Sequence, residues 1–225
     1  MNAQAADFIE KRYKIKTRKR FPLSGKNGFP MPAKATEVPH ALIGFDKIRT
    51  ASRTNGAYVH FFLDDVRFEE KTWIKMDEST IGELSRFQGV LSPDYSVLRD
   101  MDVVTAKYNV QRSRIAACCL QEQGLKVIPT VSWGDEETFE FSFEALPKES
   151  VLAISSNGLR GDPEAKRLFQ KGYDIMIEKL HPTVVVLYGS GRWFDSRGQK
   201  IKVFRNTNYK WAEGQQCSLF NKGEI

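Results

Sequence analysis

The sequence predicts an α/β fold, mainly a parallel sheet of βα units, preceded by a basic N-terminal arm. Three observations predict it. Short runs rich in Val, Ile and Phe recur at residues 58–63, 89–91, 126–131, 151–154 and 183–187. They are nearly continuous rather than alternating, as strands buried on both faces are. The segments between them carry helical periodicity, and parallel strands need such crossovers. An incomplete TIM-like barrel and an open doubly wound sheet both satisfy this pattern.

The elements follow in order. Residues 7–15 read as a short helix, and residues 11–20 form a dense basic stretch. Residues 21–32 are rich in proline and glycine and read as an extended loop. Residues 1–39 are therefore taken as the arm, and 40–225 as one α/β domain with an irregular basic tail. Residues 41–45 offer a sixth strand and residues 79–87 a short helix. The next helix has Val104, Tyr108, Ile115 and Cys119 on one face and ends at Gly124, a residue suited to the left-handed position. Residues 138–143 alternate, with Phe139, Phe141 and Phe143 on one side, and read as an added antiparallel strand. Asp162 and Pro163 suit a helix start, and Leu168, Phe169, Gly172, Ile175, Met176 and Leu180 make its apolar stripe. His181 and Pro182 stop it. Residues 200–204 form one strand in the tail.

Composition excludes several classes. The 225 residues are 41% hydrophobic and 28% charged, which suits a globular chain. No apolar run approaches the roughly 18–20 residues that cross a bilayer, and the first residues lack a secretory pattern. Three scattered histidines and three cysteines (Cys118, Cys119, Cys217) suggest neither zinc nor a disulfide framework. The expectation is a cytoplasmic protein with no membrane partner, no assigned metal and no identified cofactor. Phosphate-loop, dinucleotide and nucleophile-elbow motifs are absent.

The candidate chemistry gathers after the strands. Asp64 and Asp65 follow the first run, then Asp94, Ser96 and Arg99, then Trp133 and Asp135, then Asn157, then Tyr188. In a parallel α/β fold these turns share the edge where ligands bind. Asp64 or Asp65 and Asp94 are candidates for acid, base or nucleophile, with Asp135 in support. Trp133 and Tyr188 offer flat faces to a planar ring, and Ser96, Arg99 and Asn157 offer polar contacts. Asn109 and Arg112, three apart on one helix, can reach an anionic ligand or form a solvated face. The competing explanation is that Asp and Ser favour turns on their own account.

Charge is uneven. Residues 1–56 hold 12 Lys/Arg against 4 Asp/Glu, and the remainder 22 against 24. Lys14, Lys16, Arg18, Lys19 and Arg20, with Tyr13 and Phe21 among them, suggest an arm that binds nucleic acid through its phosphates. The alternative is an arm packed on the domain or on another subunit.

The stretches 60–65 (His-Phe-Phe-Leu-Asp-Asp), 89–100, 112–114 and 126–136, with the helix and strand leading to Tyr188 and Gly189, carry a resemblance. Across roughly residues 58–190 the chain resembles an uncharacterised domain-of-unknown-function family of bacteriophages and Gram-positive mobile elements, which implies a context and no chemistry. The strand-end aspartates and the late serine- and glycine-containing turns also make it similar in architecture to queuine-type base-exchange enzymes. The chain is short for their full barrel and lacks their zinc cluster. The function expected is a strand-end site that binds or acts on a nucleotide, base or nucleic acid. The alternative is a non-enzymatic accessory protein that binds DNA or a host protein.

Overall fold

A computed structural model describes residues 3–205 and 219–220. The chain begins with α1 (Ala3–Tyr13), α2 (Ile15–Arg18) and an antiparallel pair, β1 (Leu23–Ser24) and β2 (Phe29–Pro30). Then come β3 (Ala41–Gly44), β4 (Ala57–His60), α3 (Glu78–Leu84), β5 (Gly89–Leu91), α4 (Val103–Glu122) and β6 (Val127–Ile128). After the short α5 (Phe139–Ser142) follow β7 (Val151–Ser155), α6 (Pro163–Leu180), β8 (Val184–Tyr188), β9 (Ile201–Phe204) and β10 (Leu219–Phe220).

The helix ends follow their local chemistry. Asp102 caps α4 by accepting from the amides of Val104 and Thr105, and Asp162 caps α6 by accepting from Ala165. Gly124 follows α4 at φ 83°, and His181 ends α6 in the left-handed region just before Pro182.

Strands β3 to β9 are parallel and pair in chain order, as β3-β4-β5-β6 and β7-β8-β9. A parallel bridge between Thr130 and Ala153 joins the two groups, and β10 adds antiparallel to β9. Side chains alternate between two apolar layers. Tyr58, Leu91, Ile128, Val151, Ala153, Val184, Val186 and Phe204 meet on the inner face. Val59, Val90 and Val127 pack outward against α3 and α4, while Leu152, Ile154, Val185 and Leu187 pack outward against α6. Both faces are buried, which is why the runs are continuously apolar.

The sheet is rolled. The ring of Tyr188, the last residue of β8, lies 4.2 Å from His60 at the end of β4 and 5.4 Å from Phe62 just beyond it. These strands are not neighbours, so curvature brings them together. Consecutive order plus curvature is the incomplete-barrel alternative; a doubly wound sheet reverses its order at a switch point. Among the described residues no hydrogen-bonded ladder closes the roll between β3 and β9.

One local expectation is corrected. Residues 138–143 are helical rather than extended: Phe139 and Phe143, four apart, pack together at 6.3 Å, whereas Phe141 joins a different cluster. A helical face matched an alternating pattern because the segment is short. The N-terminal segment packs on the domain, which is the alternative stated for the basic arm. Its helix spans Ala3–Tyr13, and Phe29 is 2% exposed, packed with Ala106 and Val110 of α4. Trp73 Nε1 and Tyr108 Oη both donate to the Arg12 carbonyl, at 2.8 and 3.2 Å.

Candidate functional site

The strand ends on the carboxyl side open into a cleft of about 2500 Å³. Its walls are the loops after β3, β4, β5, β6, β7 and β8, with Arg205 at the end of β9, so parallel pairing brings residues far apart in sequence to one place.

Asp94 sits in the wall after β5, where Pro93 keeps the preceding chain extended. It accepts a hydrogen bond from Ser132 Oγ, after β6. Enclosure by neighbours, with the Asp65 carboxylate adding to it, raises its pKa to about 7; the Ser132 bond and buried Arg114 oppose the rise. Asp94 borders the cleft and exchanges its proton near neutrality.

Asp65 turns inward to the same loop. It accepts from the Ser96 amide at 3.2 Å and from Ser96 Oγ at 2.9 Å, and burial raises its pKa in spite of those bonds. Asp64 points the other way, exposed at the mouth and 3.6 Å from Arg67.

Behind the wall runs a polar chain. Asn109 Nδ2 donates to the Ser96 carbonyl at 2.7 Å, and Arg112 donates to Asn109 Oδ1 at 3.2 Å. Arg112 also pairs with Glu69 and lies 3.8 Å over the Tyr95 ring. Asn109 and Arg112 are thus buried supports of the Ser96 loop, neither a solvated helix face nor part of the cleft lining. Arg114 is deeper still: it donates to the carbonyls of Thr130, Ser142 and Glu144 at 3.1, 2.8 and 3.2 Å.

The other expected residues divide. Tyr188 lines the cleft, stacked on Phe62 with the rings 15° apart. Trp133 lines it with one edge, but its body is wedged against Phe143 and Phe169, and at Gly172 a Cβ would stand 2.4 Å from Nε1. Asn157 is exposed in the lining after β7. Arg99 lines it too, paired with Asp162 at 3.1 Å. Asp135 lies outside the lining and caps the turn into α5, accepting from the Thr138 amide at 3.2 Å.

The basic segment lies elsewhere: Lys14, Lys16, Arg18, Lys19 and Arg20 do not line the cleft. Lys14 stands over Trp73 at 5.8 Å, Arg18 donates to the Gly28 carbonyl, and Arg20 pairs with Glu122 at 2.8 Å. Lys16 and Lys19 are exposed.

Sequence reasoning left Ser132, Arg114, Arg53 and Arg160 out of the site. Ser132 and Arg160 carried a signal, since each lies in a strand-end turn beside a residue that was chosen. Arg114 carried none, because its three partners are backbone carbonyls.

Residues 21–208 match the family described as a domain of unknown function, DUF4417. The chain belongs to this family. The Gene 1 protein of Mycobacterium phage D29 is 33% identical over 183 residues, covering 80% of this chain and 67% of the phage protein. The Gene 1 protein of Mycobacterium phage L5 is 35% identical over 147 residues, covering 65% of this chain and 63% of its own length. The chain thus spans about two thirds of these phage relatives, and the DUF4417 family is phage-associated. No solved structure matches. Among the described residues of this DUF4417 chain, no helix is long and apolar enough to cross a membrane, and no group of three or more His, Cys, Asp or Glu is gathered to hold a metal.

Proposed function

We propose that the strand-end cleft binds a nucleotide, nucleobase or nucleic-acid ligand, and that Asp94 transfers a proton there. The observation that carries this reading is Asp94 itself. A carboxyl with a pKa near 7, bordering an open cleft, is equipped to act as acid and as base at neutral pH. Asp65 and the chain behind it serve by holding the Ser96 loop, and Ser132 orients the Asp94 carboxyl. The Tyr188 ring offers a planar base a stacking face, and the exposed Asn157 amide carries both a donor and an acceptor suited to a base edge.

A panel of bases, nucleosides and nucleotides tests it by thermal stabilisation, since a ligand that binds only the folded state raises the melting temperature. A ligand at about 100 times its Kd adds about 2.7 kcal/mol of stability. We expect a shift for at least one member, reduced or lost in Tyr188→Ala, and a pH optimum of turnover lost in Asp94→Asn. If no member shifts the transition, the cleft is not a nucleotide site, and the non-enzymatic accessory role becomes the reading to pursue.

A further inference from the structure

The proposed function leaves open how a ligand lies in the cleft and which chemical group anchors it. The arginines of the lining fall into two sets. Arg67 and Arg99 are paired, Arg67 with Asp46 at 3.0 Å and Arg99 with Asp162 at 3.1 Å. Arg160, Arg192 and Arg205 are exposed, and none has a carboxylate partner among the described residues. Their positions are not scattered. Arg160 follows β7, Arg192 follows β8 and Arg205 follows β9, three strands that pair side by side.

The loops that carry them are tied together. Ser156 Oγ, after β7, accepts from the Ser190 amide at 2.8 Å and donates to the Ser190 carbonyl at 3.1 Å. The Gly189 amide donates to the Phe204 carbonyl at 2.8 Å, which joins the turn after β8 to the end of β9. Gly189 has φ 123°, and a Cβ there would stand 2.3 Å from Ser156 Oγ, so the close approach of the two turns requires glycine. The base of this cationic rim is therefore rigid before any ligand arrives, which lowers the ordering cost of binding.

The carboxylates stand mostly on the other side. Asp46, Asp64, Asp94 and Asp100 follow β3, β4 and β5, and Asp162, at the start of α6, is already engaged by Arg99 and the Ala165 amide. Arg53, in the loop between β3 and β4, is a further lining arginine without a carboxylate partner among the described residues. An anion with several oxygens accepts paired N–H bonds from guanidinium groups, and adjacent strand ends let more than one arginine reach it.

We propose that Arg160, Arg192 and Arg205 form a phosphate-binding rim, which orients a nucleoside phosphate ester with its phosphate over β7–β9 and its base or sugar toward Asp94. The inference rests on the reading of the cleft as a nucleotide site and deepens it. A phosphate-bearing ligand is bound; the free base or nucleoside is at best a fragment of it. The same rim serves a monoester or the diester backbone of a single strand, and the dense basic segment at the N-terminus has no part in it.

The test is binding by titration calorimetry of uridine, uridine monophosphate, oligouridylate and oligodeoxythymidylate. The proteins are the full chain, the triple variant Arg160→Ala/Arg192→Ala/Arg205→Ala and the control Lys16→Ala/Lys19→Ala, with folding of each checked by its melting temperature. We expect the monophosphate or the oligonucleotides to bind at least about tenfold tighter than uridine, as charge-assisted bonds to phosphate imply. That advantage disappears in the triple variant and persists in the control. Preference for the oligonucleotides with a steep salt dependence identifies a diester strand; preference for the monophosphate identifies a mononucleotide. Equal affinity for uridine and its phosphates, or an undiminished advantage in the triple variant, overturns the rim and leaves the nucleotide site standing. Failure of all four ligands to bind overturns both.

Discussion

The N-terminal basic segment and the strand-end rim are both rich in positive charge, but they differ in what the charge meets. In the N-terminal segment Lys14, Arg18 and Arg20 are engaged by an aromatic ring, a carbonyl and a carboxylate. In the rim the cations come one per strand end, at positions 160, 192 and 205, and meet no carboxylate among the described residues. Density of charge along a chain measures neither availability nor concentration in space. Parallel strand pairing gathers sparse arginines into one place, whereas docking of the N-terminal helices commits much of a dense cluster to packing.

The comparison breaks or sharpens on stability first. The most deeply committed cation is Arg114, and Arg114→Met leaves two buried carbonyls and one half-buried carbonyl without their donor. We expect a loss of about 3–5 kcal/mol in denaturant unfolding, since each unsatisfied buried acceptor costs about 1–3 kcal/mol. A loss below about 1 kcal/mol would mean that water replaces the guanidinium and that burial does not measure commitment.

A smaller effect is the pH dependence set by Asp94. Its pKa rises on folding from the ordinary carboxyl value of 3.8 to about 7, so the folded state holds the proton more tightly. That contribution to stability is full below the unfolded pKa and is lost as pH climbs through about 7. His60 works in the opposite sense: burial lowers its pKa to about 4, so its contribution is lost as pH falls from about 6.5 toward 4. Asp94→Asn should gain about 1–3 kcal/mol over the parent at pH 8 relative to pH 5. Equal differences at the two pH values would show that Asp94 is not enclosed as described.

The smallest effects contrast the two regions directly. Arg20→Ala breaks an exposed pair and should cost about 0–1 kcal/mol. Arg160→Ala, Arg192→Ala and Arg205→Ala should each stay within about 0.5 kcal/mol of the parent, because no described partner is lost. If a rim substitution destabilises more than Arg20→Ala does, the rim is structural.

Much of the fold was legible in local pattern. The runs at 58–63 and 183–187 overlap β4 and β8 because both faces of the sheet are covered, and Asp162, Pro163 and His181 bound α6 through capping chemistry. Residues 138–143 misled because too few residues were present to separate a helical face from an alternating one. The site was legible only as a set of strand-end turns. Asp64 and Asp65 are adjacent in sequence, yet one faces solvent and the other the Ser96 loop, a division made by the 3₁₀ turn at Asp65–Arg67. Asn109 and Arg112 share a helix face as their spacing implies, but which surface that face meets depended on how α4 packs.

By itself the sequence determined the strand–helix alternation, the parallel sheet and the edge on which polar residues collect, since these follow from periodicity and from the crossovers that parallel strands require. Only the tertiary structure decided that the sheet rolls, that Asp94 is enclosed beside Asp65 while Asp135 caps a turn, and which arginines are left unpaired. Those outcomes depend on contacts between residues tens of positions apart, and pairing over such distances is set by how helices and strands pack, not by any pattern within one segment.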